Sequence, residues 1–588
     1  MTGPTSQYRF GRFSLVPAER RLLADGEPQS IGPRAFDVLI ALVRRAGQLV
    51  TKSELLDQVW PGLVVEENNL QVQVSALRKI LGPDAIATVA GKGYRFAPRL
   101  EPGGESPLAP SREAPAPRAA ELSSIDVLPF VNTSDDAANE YFADGLAEEL
   151  LNVLSKIRGL RVASRTSAFS FKGAKADIPT VAQKLNVATI LEGSVRKSGK
   201  RVRISAQLIH AATDSQLWSA TYDRELEDIF AVQDDIAQSV VKELREALLG
   251  ETPDASASAA IKAEIQAAAR GRGENAEAYR LNLQANFHYD RLTPEDFAIA
   301  IHAYREALKL DPNYALAWTG LSIVYAYHTG QGWPGTAVDE GFRLAREAAE
   351  RAIQLAPDLA EAHDAMGVIR YMNDWDWKGA EASFGRALEL APGNVRVIRN
   401  AAELLRARGR FDEAIALLRH AVELDPLSGV VYRYLARSYL ASGQLDEAQT
   451  AIRKSLELNP HAGIGHYYHS EICRAQGRLD EALEAAKREI HDSLRLHALA
   501  MVYHAQGRHA ESDAALQALI ETDADRIAFQ IAEVFAYRDD RDQAFAWLER
   551  AYTQRDAGMN LLRSSPSMRG LHGDSRWLPF LEKVGLAD

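Results

Sequence analysis

In HAGIGHYYHSEIC the side chains of His466, His469 and Cys473 recur at i, i+3 and i+7 and would share one helix face. Imidazoles and a thiolate at that spacing are zinc ligands or a thiol-based sensor. A single helix rarely completes a metal site, and repeat helices commonly bury His and Cys, so the expectation here is packing and no metal. Asp144, Glu148 and Glu149 offer carboxylates for acid–base work. At helical spacing they read instead as an exposed face complementing a helix N-terminus. SVRKSGKRVR (194–203) packs five cations into ten residues; it would suit phosphate or nucleic acid, but reads first as a solvated hairpin turn. The GKG of TVAGKGYRF has neither the GxGxxG spacing nor a following helix, so it is not a nucleotide loop. HExxH, GxSxG, Walker A and CxxC are all missing from the sequence, and the chain is expected to be neither an enzyme nor dependent on a cofactor.

A different chemistry is offered by ENNLQVQVSALRKILG, Glu67 to Gly82. At 100° per residue over 68–81, Leu70, Val74, Leu77 and Leu81 fall on one side and should bury. Opposite lie Asn68, Asn69, Val72, Ser75, Ala76 and Lys79, with Gln71, Gln73 and Arg78 on the flanks. That outward face is small, polar and nearly free of acids. Small residues let a helix approach a surface closely, and amides pair with adenine edges in a major groove. Lys79 and Arg78 are placed for phosphates. A polar face alone is commonly just solvated. This one is preceded by two helices in PRAFDVLIALVRRAGQLVTKSELLDQVW and followed by a hairpin pattern that would carry Lys92 and Arg95 to a nucleic-acid backbone.

The elements that would position these residues follow from composition and periodicity. The chain has 588 residues, 46% apolar and 25% charged, enough for three or more domains with their own cores. One cysteine excludes a disulfide framework and fits a reducing compartment. With no secretion-like N-terminus and no apolar run of membrane length, a cytoplasmic location is expected. Net charge is −12, divided as +4 over residues 1–100 and −16 over the remainder. That is the asymmetry of a basic module, meeting a polyanion, on an acidic body. EPGGESPLAPSREAPAPRAAE (101–121) reads as an extended linker. Residues 123–249 alternate short strands (SIDVLPF, LRVASR, ATILEGSV, RVRISAQLIH) with amphipathic helices (FADGLAEELLNVLSKI, DIPTVAQKLN), and a long helix closes an α/β domain. A composition shift at ETPDASASAA (251–260) ends it. Pro312, Pro357, Pro392, Pro426 and Pro460 then stand 45, 35, 34 and 34 residues apart. A period near 34 with proline closing the second helix is the tetratricopeptide signature. Ala402, Ala414, Ala421, Ala436 and Ala448 take its small-residue sites. About eight units are expected from 276 to 558, within an array running to 588 with a closing helix near RWLPFLEKVGL. The insertion HTGQGWPGTAVDEGF accounts for the long gap.

Residues 8–98 resemble the winged-helix DNA-binding domain shared by OmpR and PhoB and by the ToxR and CadC regulators. YRFGRFSLVPAERRL supplies the opening sheet, SELLDQVWPG the turn, SALRKILG the end of the recognition helix and GKGYRF the close of the wing. The resemblance implies a recognition helix in a major groove, a wing in the adjacent minor groove, and an output module of the phosphorelay kind. It gives as contacts Trp60, Asn68, Asn69, Val72, Ser75, Arg78, Lys92 and Tyr94, to which the helix face and the hairpin add Gln73, Ala76, Lys79 and Arg95. Where relatives often carry arginines, this chain has Asn68, Ser75, Ala76 and Ala90, so a lone domain should bind weakly with a shallow salt slope and gain affinity by dimerising on repeated half-sites. No phosphoacceptor receiver is expected ahead of it. Residues 123–249 resemble the TolB amino-terminal-like domain, through IDVLPF, SRTSAFSFKG, LNVATILEGSVRKSG and LWSATYDRELEDIFAVQDDIA; some relatives carry a nucleotide cyclase at the output end.

The fold expected is therefore multidomain α and α/β: an N-terminal winged helix-turn-helix, a central TolB-like domain and an all-α tetratricopeptide superhelix. The function expected is a one-component transcriptional regulator. Its partners are expected to be promoter DNA, RNA polymerase, a second copy of the chain on DNA, and a protein or peptide in the repeat groove. A scaffold with residual DNA binding and a signalling enzyme related to nucleotide cyclases are the alternatives.

Overall fold

The computed structural model describes residues 8–98 and 124–587, apart from 17–20, 25–26, 30, 32, 60–66, 83–84, 90–91, 135, 137–138, 158, 174–175, 250–254, 290–292, 331–337 and 461–463. The proline-rich linker 101–121 and the centre of the HTGQGWPGTAVDEGF insertion lie outside the described residues. The chain divides into two compact units, residues 1–116 and 117–588.

In the first unit four short antiparallel strands, β1 (Tyr8–Phe10), β2 (Phe13–Val16), β3 (Arg21–Ala24) and β4 (Glu27–Pro28), lie in sequence order. Helix α1 (Pro33–Arg44), strand β5 (Leu49–Thr51), α2 (Lys52–Val59), α3 (Glu67–Leu81), β6 (Ile86–Val89) and β7 (Gly93–Phe96) follow. The last three strands form a second sheet in the order β5-β7-β6. Phe36, Leu39 and Leu42 of α1 and Leu70, Val74 and Leu77 of α3 close the core with Phe10 and Phe96. The last two rings meet edge to face at 4.9 Å, coupling the first sheet to the hairpin. Helix α2 starts on a reciprocal cap. The Glu54 backbone N–H donates to Thr51 Oγ1 at 3.2 Å, while Glu54 Oε2 accepts from the Thr51 N–H at 2.8 Å, the Thr-x-x-Glu capping box. Arg45 adds a hydrogen bond to Glu54 and, with the Thr51 groups, holds its carboxyl down at about 2.

The second unit opens with a mixed sheet. Its strands are β8 (Ser124–Val127), β9 (Val131–Asn132), β10 (Arg161–Val162), β11 (Thr189–Ser198), β12 (Arg201–His210) and β13 (Ser215–Glu225). The order is β10-β8-β11-β12-β13, with β9 beside β11; β10, β8 and β11 run parallel, and β11 to β13 antiparallel. Helices Glu140–Ser155, Ile229–Leu249 and Ala255–Ala268 bury their apolar stripes on one face, and Ile178–Leu185 covers part of the other. The basic stretch 194–203 is the β11–β12 hairpin, and Arg201 and Arg203 both pair with Asp223 on β13 at 2.9 Å. The acidic stretch departs from the exposed face expected of it. Asp144 and Glu149 are buried, Asp144 bonded to Lys172, and Glu148 pairs with Arg165 at 3.1 Å. The helix they sit on packs against the sheet on one side and against the first repeat helix on another, so most of its circumference lies inside the unit.

Eight helix pairs follow among the described residues: Ala276–Tyr289 with Pro294–Leu310, Ala315–Gly330 with Val338–Leu355, Ala360–Ile369 with Trp377–Leu390, Val395–Ala407 with Phe411–Leu424, Gly429–Ser442 with Leu445–Leu458, Gly465–Ala475 with Leu479–Arg488, Asp492–Ala505 with His509–Asp523, and Ala528–Tyr537 with Arg541–Thr553. Each periodic proline stands two residues past a second helix, where it cannot extend the turn. Ala402, Ala414, Ala421, Ala436 and Ala448 are fully buried where paired helices approach. First helices of successive pairs pack on one another and so form the inner wall of the superhelix.

The chain's own end covers part of that wall. Short turns at Ala557–Leu561 and Pro566–Leu571 precede the closing helix Trp577–Lys583. Ser564 accepts from Arg406, Ser565 donates to Glu533, Ser567 accepts from Arg474 at 3.3 Å, and Arg569 donates to the Ala441 carbonyl at 3.0 Å. Four inner helices, of the fourth, fifth, sixth and eighth pairs, therefore grip one strap. Trp377 anchors its far end through the Val584 carbonyl at 2.8 Å.

Candidate nucleic-acid interface

Helix α3 is fixed by its apolar stripe, and the surface it leaves free follows from that. Leu70, Val74 and Leu77 are buried and Leu81 is half-buried against the same core. On the outward side Val72 is 56% exposed, an apolar side chain held in solvent. Ser75 and Lys79 are exposed one and two turns on, with Gln73 and Ala76 half-buried at the flanks. Gly82, at φ +98°, ends the helix by taking the left-handed conformation that a side chain disfavours. Trp60 lies outside the described residues, and Asn68 and Asn69 are placed only as positions on the first turn of α3.

The hairpin β6–β7 stands beside this helix because Arg78 ties them together. Its Nε and Nη2 donate to the Ile86 carbonyl at 3.0 and 2.6 Å, and Nη2 also reaches Thr88 Oγ1 at 2.6 Å. The phosphate role expected of Arg78 gives way to that of a strut, since its guanidinium fork is already engaged by the neighbouring strand. Thr88, which sequence reasoning passed over, is the strut's second anchor; a threonine pointing outward from a β-strand carries no pattern that marks it. Tyr94 is likewise corrected from a surface contact. It is 5% exposed because β7 alternates and turns its ring into the core. Lys92, at the hairpin turn, and Arg95, between the buried Tyr94 and Phe96, are exposed.

The wing closes on a backbone approach that only glycine permits. Gly93 pairs with Thr51, and a Cβ there would stand 2.1 Å from the Val50 carbonyl oxygen. Val72, Ser75 and Lys79 are thus exposed along the helix, and Lys92 and Arg95 along the braced hairpin. Residues 26–96 match the family model described as transcriptional regulatory protein, C terminal. The first module is an OmpR/PhoB-type regulator domain. Residues 121–239, which resemble a TolB-type domain in sequence, match the second domain of HilA/YgeH-like transcriptional regulators. Tetratricopeptide models match 289–331, 375–428, 405–464 and 495–526.

Among curated proteins, a putative adenylate cyclase 3 of Rhizobium meliloti is 38% identical over 241 residues, 40% of this chain and 38% of that protein. The phosphate regulon regulator PhoB of Pseudomonas aeruginosa is 37% identical over 103 residues, 16% of this chain and 45% of its own. The transcriptional regulator HilA of Salmonella typhimurium is 38% identical over 86 residues, 14% and 16% respectively. The chain thus spans less than half the length of these relatives.

The histidine and cysteine set of the repeats does not converge. His469 Nε2 and Cys473 Sγ each reach a different amide atom of Gln449, at 3.1 and 3.7 Å. Burial, with the neighbouring His466, pushes His469 down to about 4, and burial raises the Cys473 thiol. No group of three His, Cys, Asp or Glu able to hold a metal occurs among the described residues, and no described helix is long and apolar enough to cross a membrane.

Proposed function

We propose that this chain is a cytoplasmic one-component transcriptional regulator that binds duplex DNA with the outward surface of α3 and its wing. Val72 supplies an apolar contact for a thymine methyl, Gln73, Ser75 and Ala76 flank it, and Asn68 and Asn69 on the first turn of α3 offer amides to adenine edges. Trp60, Lys79, Lys92 and Arg95 hold phosphates and set the register. The observation that carries the reading is the half-exposed Val72 in the middle of a helix whose other face is locked into the core. An apolar side chain is kept in water there, beside a braced basic hairpin. Few cations line this surface, so two copies on repeated half-sites supply the affinity that one copy lacks. The repeat array gives the protein partners of the assembly, RNA polymerase among them, and the α/β domain joins that array to the output module.

The test is fluorescence anisotropy of the full chain on promoter fragments recovered by genome-wide mapping of the DNA it occupies. Val72→Glu should abolish specific binding while the melting profile stays nearly unchanged, because more than half of the side chain is already in solvent. Promoter occupancy that survives this change would exclude α3 as the reading element.

The chain acts without turning over a substrate, although one relative is named a cyclase. Support comes from the assigned segments, which leave no catalytic constellation in the sequence. ATP or GTP turnover that co-purifies with the protein through successive columns would overturn this.

A further inference from the structure

The inner wall of the array concentrates cations around aromatic rings. On the inner helices of the fourth and fifth pairs, the guanidinium carbons of Arg399, Arg433 and Arg437 stand 5.3, 5.7 and 5.0 Å from the centroid of one ring, Tyr434. Arg437 also lies 5.0 Å from the ring of Tyr468. The acids nearby are already engaged. Glu403 takes Arg406 and Arg437, both at 3.0 Å, and Asp364 takes Arg396 at 3.1 Å. Arg399 Nη2 reaches the Asn400 amide oxygen at 3.4 Å, and its Nε is buried with no hydrogen-bond partner. Burial, with Arg437 and Arg399 close by, pushes Arg433 below the usual guanidinium range. A half-buried locus of this kind has more positive charge than its carboxylates neutralise, and desolvated cations favour an anion over water.

A cavity of about 280 Å³ adjoins the cluster and shares Tyr434 and the Arg437–Glu403 pair with it. Tyr327, Tyr371 and Phe384 form its aromatic walls, and the turn Ala557–Leu561 of the strap forms another side. Ligand pockets run from ~300 Å³ upward, so a space of this size takes one or two fused rings.

We propose that this cavity and arginine cluster bind a small aromatic anion, with its rings among Tyr327, Tyr371 and Phe384. Its carboxylate or phosphate reaches past Tyr434 to the fork of Arg399, whose Nε is unpartnered, while Arg433 and the Glu403-paired Arg437 add positive charge around the same ring. The site stands on the array alone and is tested without DNA, so failure of the DNA-binding reading would leave it intact, and the reverse. Isothermal titration of the full chain would use indole-3-acetate and AMP as the carboxylate and phosphate probes, with indole and adenosine as their uncharged counterparts. At least one anionic probe should bind saturably, about tenfold or more tighter than its counterpart, and raise the melting temperature. Arg433→Gln should weaken it by a similar factor. Arg399→Lys, which keeps the charge and removes the fork, serves as a second variant that preserves the fold, and should weaken it as well. No saturable binding of either anion at millimolar concentration, equal binding of charged and uncharged probes, or undiminished binding by Arg399→Lys would each overturn the proposal.

Discussion

Arg78 and Lys79 are adjacent cations with opposite duties. Arg78 spans from α3 to β6 through the Ile86 carbonyl and Thr88, whereas Lys79 stands exposed. Replacing Arg78 with alanine removes hydrogen bonds from a charged donor, each worth ~1.5–3 kcal/mol, and frees the wing from the helix. The expected outcome is a lower melting temperature for the first unit together with weaker DNA binding. Lys79→Ala should leave melting unchanged and reduce the slope of log affinity against log salt by about 0.9, one phosphate contact. Anisotropy over a salt series together with calorimetry separates the two. A wild-type melt for Arg78→Ala would mean that the strut carries no load.

Helix α3 was legible in the sequence because its burial follows a 3.6-residue period, and Leu70, Val74 and Leu77 lie where that period puts them. The repeats were legible because a proline must recur where each second helix stops. The interaction between elements was not legible. Tyr94 and Arg78 carry side chains that suit DNA, and only the pleat of β7 and the approach of β6 decide that one turns inward and the other braces a strand. Nor does periodicity reveal that the segment around Ser564 and Ser567 lies across the inner helices, since the pairing residues are more than ninety positions apart. Gly93 shows the same dependence on a neighbour. In sequence it belongs to a turn; in the fold it is where β7 and β5 touch, with the Val50 oxygen 2.1 Å from any added Cβ. Gly93→Ala should therefore cost on the order of 3 kcal/mol, as overpacking against rigid backbone does. Because the strain falls on the hairpin, the loss should appear as collapsed protection of the β5–β7 amides in hydrogen exchange, with the α1 amides less affected. Unchanged β7 protection would show that the sheet can open to admit a methyl group.

At the scale of the second unit, the α/β domain and the array are joined by polar groups carried inward from both. Arg272 binds Gln233 at 2.9 Å and Asp234 at 2.5 Å, Lys156 meets Glu361 at 3.3 Å, and the Leu427 N–H donates to Ser167 at 3.0 Å. Ser167 also donates to Asp425 of the array, and Asp425 faces Asp126 of β8. Burial, with Asp425 as a like charge nearby, raises Asp126 to about 8 against the smaller opposing pull of the Val127 backbone N–H. Burial raises Asp425 too. The sign follows from proton counting. Between pH 4 and pH 8 the unfolded chain has released the Asp126 proton and the folded chain retains it. Rising pH therefore favours unfolding, by up to about 1.4 kcal/mol per pH unit for one such group. His469 and His497, both pushed down to about 4 by burial, oppose this below pH 6.5, whereas Glu149 and Glu533, raised by burial to about 7 and about 8, act in the same direction as Asp126 and outweigh them. The second unit should accordingly melt at a higher temperature at pH 5.5 than at pH 7.5. Asp126→Asn keeps the shape and removes the ionisation, so it should raise stability at pH 7.5 and flatten the dependence. Differential scanning calorimetry of the full chain at both pH values reads this directly. If Asp126→Asn changes neither the melting temperature nor its pH slope, Asp126 does not hold its proton in the folded state, and the seam between domain and array is wetter than its burial implies.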